Sequence, residues 1–125
     1  MRSVLLIIGA TLALFGCAPE NSSGFDTHIA PEAMLVDVRT AEEFASGHFP
    51  GAVNIPYDQI VEGLSARSVP ADTPLVLYCR SGTRSGKALN TLQTAGFSRA
   101  QNAGDLQTLL AVHQKTLVTP AQGVQ

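Results

Sequence analysis

Pro74-Leu75-Val76-Leu77-Tyr78-Cys79-Arg80-Ser81-Gly82-Thr83-Arg84-Ser85-Gly86-Lys87 is the stretch on which the reading of this 125-residue chain turns. Leu75 to Tyr78 is apolar on both faces of a strand, the pattern of a central parallel strand covered by helices on each side. A short polar loop follows and runs straight into a helix. Cys79 stands at the hinge, Arg80 and Arg84 flank the loop, and Gly82 and Gly86 let the backbone close around whatever sits inside. A helix N-terminus presents amides without partners and carries partial positive charge. Successive inward-pointing N–H groups form an anion-binding nest. Amides, helix end and guanidiniums all favour thiolate over thiol at Cys79. The expectation is a preformed nucleophile facing an anion, with no histidine near it in sequence to serve as a base.

Outward from this stretch the chain alternates strands and helices. Ala33–Val38 is an apolar run broken only by Asp37 and reads as a buried strand. Thr40 and Glu43 form a capping box for a brief helix that ends at Gly47, the usual residue for a left-handed C-terminal position. His48-Phe49-Pro50-Gly51 is a turn, Ala52–Ile55 a short strand, and Pro56 opens a helix with Ile60, Val61 and Leu64 on one face. Beyond the central stretch, a helix from about Arg84 presents Ala88, Leu89, Leu92 and Ala95. A weaker strand near Arg99–Asn102 precedes a last helix bearing Leu106, Leu109, Leu110 and His113. The fold class expected is α/β, a mainly parallel central sheet flanked by helices. Ligands of such sheets sit beyond the carboxyl ends of the strands, where both Cys79 and Asp37-Val38-Arg39 fall.

The charge balance adds to this. Net charge is −2, which gives no global pull toward nucleic acid. Locally, residues 73–104 contain no acid but hold Arg80, Arg84, Lys87 and Arg99, so the segment with Cys79 is the positive one. His28, His48 and His113 are scattered without metal-ligand spacing, so no metal and no cofactor is expected.

The N-terminus reads as a targeting segment. Met1-Arg2-Ser3 supplies a positive start, and the apolar run Val4–Phe15 is too short to span a bilayer but right for the centre of a secretory signal. Leu14-Phe15-Gly16-Cys17 resembles the lipobox of bacterial lipoproteins, in which the cysteine is acylated and becomes the new N-terminus. The expected organisation is a signal peptide over 1–16, a lipidated Cys17 opening a flexible tether over 17–25, a folded domain over 26–115 and a disordered tail over 116–125. The protein is then lipid-anchored on the periplasmic side of a bacterial membrane, with Ala18 leaning toward the outer membrane. An ordinary cleaved signal would leave it soluble in the periplasm. In the lipidated form Cys79 is the one free thiol of the mature domain.

With these motifs in place, the chain resembles the rhodaneses, sulfurtransferases of the single-domain, phage-shock E-like kind. The resemblance covers about residues 25–112. It rests on Leu35-Val36-Asp37-Val38-Arg39 with Glu43, on Gly47-His48-Phe49-Pro50-Gly51-Ala52-Val53-Asn54-Ile55-Pro56, on the Cys79–Ser85 loop and on Asn102-Ala103-Gly104. It implies that Cys79 takes the outer sulfur of thiosulfate, or of a similar small anionic donor, as a persulfide and passes it to a thiol or cyanide. It implies further that Arg80, Ser81, Gly82, Thr83 and Arg84 bind the substrate, while Asp37, Arg39 and Ser85 are structural neighbours of the site. Asp105 departs from the pattern, standing where many members carry a second glycine. Its carboxylate is expected near the site mouth, opposing an anionic donor.

Two other functions remain. One is a non-catalytic binding module on the same fold, against which the intact Cys79 and both arginines argue. The other is phosphatase or arsenate-reductase chemistry, whose loops resemble this one but place five residues between cysteine and arginine. Here Arg80, Ser81, Gly82 and Thr83 make four.

Overall fold

The computed structural model describes residues 25–119. The expected signal segment, Cys17 and all but the last residue of the tether lie outside the described residues, as do residues 120–125. Four strands form one parallel sheet in the order β2-β1-β3-β4. They are β1 (Met34–Asp37), β2 (Val53–Asn54), β3 (Leu75–Cys79) and β4 (Ala100–Asp105). The helices are α1 (Ala41–Ser46), α2 (Ile60–Ala66, preceded by a 3-10 turn at Tyr57–Gln59), α3 (Thr83–Thr94) and α4 (Leu106–His113).

The two-residue period of β3 organises both halves of the core. Leu75, Leu77 and Cys79 face a cluster containing Ile60 and Leu64 of α2 and Ala88 and Leu92 of α3. Val76 and Tyr78 face the opposite cluster, with Phe49, Leu106, Leu109 and Leu110. All five β3 residues are buried, as the apolar run requires. Each such fully buried leucine contributes about 2 kcal/mol of apolar transfer. The alternation also decides the chemistry, since it sends Cys79 toward α3 and the neighbouring Tyr78 under α4.

Local rules hold at the helix ends. Glu43 N–H donates to Thr40 Oγ1 at 3.2 Å, and Thr40 N–H donates to Glu43 Oε2 at 3.0 Å, completing the capping box. Gly47 follows with φ +148° and ψ 136°, a region open to glycine but not the left-handed helical one that was expected.

The tail and β4 differ from expectation. The chain stays ordered past residue 116. His48 and Val118 exchange backbone hydrogen bonds of 3.0 and 2.9 Å, and Leu117 packs on the α4-side cluster. An apolar side chain with a surface to cover, plus two backbone bonds, explains why the tail does not begin at 116. β4 runs to Asp105, beyond the short strand expected, although Ala100-Gln101-Asn102-Ala103-Gly104-Asp105 has no β-branched or aromatic residue. Its pairing comes from β3. The register shifts from Leu77↔Asn102 to Tyr78↔Gly104, leaving Ala103 as the extra residue of a bulge at which Gly104 takes φ +83°. The segment at 25–28 forms no strand. It runs beside β4, with Asp26 N–H on Asn102 O and Gln101 Nε2 donating to the carbonyls of Asp26 and His28.

Candidate active site

Cys79 ends β3 with its side chain fully buried, and the next residues bend back over it. Gly82 takes φ +90°, which aims its N–H at Cys79 Sγ over 2.9 Å and starts α3 one residue later. The buried stripe of α3 is Ser85, Ala88 and Leu92, whereas Ala95, expected on it, is exposed. The stripe therefore begins one turn earlier than its apolar residues suggest, and it places the Ser85 hydroxyl 3.5 Å from Sγ. Burial pushes the Cys79 thiol up. Hydrogen bonds from the Ser85 hydroxyl and from the amides of Ser85, Ser81 and Gly82 outweigh it and bring the thiol below its ordinary value. The thiolate is thus favoured chiefly by hydrogen-bond donors, with the nearby Arg84 charge acting in the same direction.

The arginines have different situations. Arg84 makes a two-pronged ion pair with Glu43 of α1, Nη1 to Oε2 at 2.6 Å and Nη2 to Oε1 at 2.9 Å. That contact, with the Thr40 amide, holds the Glu43 carboxyl down to about 2. The charge of Arg84 is therefore already matched, and its contact braces α1 against the start of α3. Arg80 is exposed and makes no ion pair among the described residues. Ser81 and Thr83 are exposed, with their hydroxyls 3.3 Å apart. A cleft of about 400 Å³ opens beside the loop, lined by Arg39, Glu43, Ser46, Arg80, Leu106 and Gln107. A second, more open hollow of about 500 Å³ lies between α2 and the C-terminal half of α3, lined by Val61, Asn90, Thr91, Thr94 and Ala95. It holds no ionisable group and sits at the end of α3 away from Cys79.

At the end of β1, Asp37 and Arg39 form a buried ion pair. Arg39 Nη2 lies 2.6 Å from Asp37 Oδ2 and 2.7 Å from Gly47 O. Tyr78 completes this node, its hydroxyl donating to Asp37 Oδ2 at 2.9 Å and accepting the Phe49 N–H at 3.0 Å. Burial and then the Asp37 charge push the Tyr78 phenol up, so it keeps its proton and stays a donor. This node fastens the loop after α1 beneath the sheet, on the face opposite Cys79.

Asp105 is the register partner of Cys79, as its expected nearness to the site requires, and its carboxylate is engaged at the start of α4. Oδ1 accepts the Thr108 N–H at 2.8 Å and caps α4. The histidines take structural positions. His48 stacks on Phe44 at 3.7 Å, His113 Nε2 donates to Thr27 O at 2.7 Å, and His28 is exposed.

Two residues take places at the site to which the sequence assigned no role, Asn102 within the matching stretch Asn102-Ala103-Gly104 and Phe25. Asn102 binds three loop groups: Oδ1 accepts from Ser85 Oγ at 2.7 Å and from Gly104 N at 2.9 Å, and Nδ2 donates to Gly82 O at 3.1 Å. Its sequence signal is its place in Asn102-Ala103-Gly104, one of the stretches that carry the resemblance, which assigns its side chain no role. Phe25, the first described residue, lays its ring against Gly82 and Gly104, where neither position has room for a Cβ.

A buried, hydrogen-bonded cysteine at the carboxyl end of a parallel strand, under an amide-lined loop that opens a helix, defines an α/β domain organised around a cysteine loop. The chain belongs to the Rhodanese-like domain family, which matches residues 24–105. It is 36% identical over 89 residues to a sulfurtransferase of Allochromatium vinosum, covering 71% of this chain and 81% of that protein. It is 31% identical over 74 residues to thiosulfate sulfurtransferase PspE of Escherichia coli, covering 59% and 71%. Against YqhL of Bacillus subtilis, 39% identical over 71 residues, the match spans 57% of this chain and 55% of the relative. Among solved structures, a rhodanese with anions from E. coli superposes with TM-score 0.62 at 28% identity, over 70% of this chain and 98% of that one.

Proposed function

We propose that this protein is a sulfurtransferase that carries a sulfane sulfur on Cys79 from thiosulfate, or a similar anionic donor, to a thiol or cyanide. The observation that carries this reading is the hydrogen-bonded, buried Cys79 Sγ, whose thiol lies below its ordinary value without a histidine partner. In the first step the Cys79 thiolate attacks the outer sulfur of thiosulfate. A new S–S bond forms, the donor's S–S bond breaks, and its electron pair leaves with sulfite, giving Cys79–S–S⁻. In the second step cyanide or a thiolate attacks the outer sulfur, and the pair of the breaking bond returns to Cys79 as thiolate. Charge is conserved in both steps, and no metal or redox cofactor is called on.

The anionic sulfur of the persulfide is stabilised by the donors that favour the thiolate, the loop amides and Ser85. Arg80, exposed beside the cleft, is the cation available to meet the sulfonate end of the donor. Arg84 contributes through its hold on Glu43. Initial rates of thiocyanate formation with thiosulfate and cyanide both varied test the reading. Parallel double-reciprocal lines, absent in Cys79→Ser, are expected of a covalent intermediate. Intersecting lines, or turnover that survives Cys79→Ser, would overturn it.

We also propose that Cys17 is acylated and holds the domain on the periplasmic side of a bacterial membrane, with Ala18 favouring the outer one. Supporting this is the lipobox-like Leu14-Phe15-Gly16-Cys17 after a short apolar run. No helix among the described residues is long and apolar enough to cross a membrane. Labelled palmitate should enter the wild-type chain and not Cys17→Ala, and equal labelling of both would count against the anchor.

A further inference from the structure

The Ser85 hydroxyl has one proton and two acceptors within reach, Asn102 Oδ1 at 2.7 Å and Cys79 Sγ at 3.5 Å. Ser85 is fully buried, so its hydroxyl must choose between these partners. The Asn102 amide cannot turn over. Its oxygen accepts the Gly104 N–H, and its nitrogen donates to the Gly82 carbonyl. A flipped amide would set an NH₂ against an N–H and an oxygen against a carbonyl. Asn102 Oδ1 is therefore a fixed competitor with the sulfur for one proton. The same side chain holds the carbonyl of Gly82, the residue whose N–H donates to Sγ.

We propose that Asn102 is a positioning residue that governs Cys79 through the Ser85 hydroxyl and the Gly82 peptide. While the sulfur is a neutral thiol, Ser85 gives its proton to Asn102 and offers a lone pair to the S–H. When the sulfur becomes anionic, as thiolate or persulfide, the hydroxyl proton rotates about the Cβ–Oγ bond and is donated to it. No covalent bond changes, so the exchange can follow each half of the transfer cycle. Asn102 lies 17 residues from Ser85 in sequence, and the β4 bulge that follows it sets the register of the two. The charged groups around Cys79 are the Asp37–Arg39 pair at the end of β1, the Glu43–Arg84 pair joining α1 to α3, Arg80 on the loop, and Asp105 at the end of β4. Each pair is internally matched, Asp105 is engaged in capping α4 and Arg80 is exposed, which leaves the Ser85 proton as the adjustable buried donor.

The inference rests on Cys79 being the nucleophile. Its test reads the thiolate itself, so it can fail while sulfur transfer through Cys79 stands. The rate of Cys79 alkylation by iodoacetamide is followed against pH in wild type, Asn102→Asp, Ser85→Ala and the double variant. A carboxylate at 102 holds the Ser85 proton harder and loses the Gly82 contact, so Asn102→Asp is expected to raise the alkylation midpoint by about one pH unit. In the Ser85→Ala background the same substitution is expected to move it by less than about half as much, the mark of coupled residues. Equal shifts in both backgrounds would mean that residue 102 acts by charge alone, and no shift would mean that it does not act on Cys79. Either result overturns the proposal. Should Asn102→Asp not fold, Asn102→Ala is read in the same two backgrounds, and equal displacement in both overturns it equally.

Discussion

Glu43→Gln removes the charge that faces Arg84 while keeping the shape of the side chain, and its cost depends on pH in a way the contacts fix. The carboxylate accepts two Arg84 N–H groups, at 2.6 and 2.9 Å, and the Thr40 N–H at 3.0 Å. These bring its value from an ordinary 4.5 to about 2 in the folded chain. Taken at face value, a difference of that size is worth about 3 kcal/mol. Both side chains are more than a quarter exposed, at 27% and 29%, so solvent screening reduces the expected contribution to about 1–2 kcal/mol. Because the folded state releases this proton more readily than the unfolded one, the contribution is complete above the ordinary value. It is lost as pH falls from about 4.5 toward about 2. Urea unfolding of both proteins at pH 7 and at about pH 3 should therefore show Glu43→Gln less stable by about 1–2 kcal/mol at pH 7 and a gap less than half as large at the acid pH. A gap unchanged between the two pH values, or none at pH 7, would refute the reasoning. Sulfur transfer should fall less than about tenfold, since Arg84 keeps its charge and loses only its brace.

Other substitutions probe separate parts of the account. Tyr78→Phe removes the hydroxyl that joins Asp37 to the Phe49 amide, both contacts buried, and should cost about 2–4 kcal/mol in urea unfolding. Its effect on Cys79 alkylation should be small, because Tyr78 faces α4; a midpoint of unfolding equal to wild type would contradict the node. Gly104→Ala forces a side chain into a φ of +83° and into the Phe25 ring, and should destabilise by about 1–3 kcal/mol. Part of that loss should be recovered in Gly104→Ala/Phe25→Ala, whereas strictly additive losses would mean that the ring is not the obstacle.

What the sequence made legible was what neighbouring residues decide. Leu75–Tyr78 is a strand because four consecutive apolar side chains can be buried on both faces, and Gly82 ends the turn over Cys79 within three residues. The Thr40–Glu43 box is likewise local. The Glu43–Arg84 pair joins residues 41 apart, and nothing in either residue's surroundings distinguishes a brace from a substrate-binding arginine. Asn102 belongs to a stretch that carries the resemblance, but its contacts with Ser85 and Gly82 were hidden for the same reason, in a strand whose small and polar residues carry little β signal of their own. The nearness of Asp105 to Cys79 was legible, while the direction of its carboxylate, set by the first turn of α4, was not. Ser85 was recognised as a neighbour of the site, but its burial depends on the face that α3 turns to the sheet.

The central claim is that Cys79 itself carries the transferred sulfur, and intact-protein mass spectrometry tests it most directly. The purified protein is weighed before thiosulfate, after thiosulfate, and after subsequent cyanide, beside Cys79→Ser. The account predicts a gain of one sulfur atom with thiosulfate, its loss with cyanide, and no gain in the variant. An unchanged mass after thiosulfate, or a sulfur atom gained equally by Cys79→Ser, would contradict it.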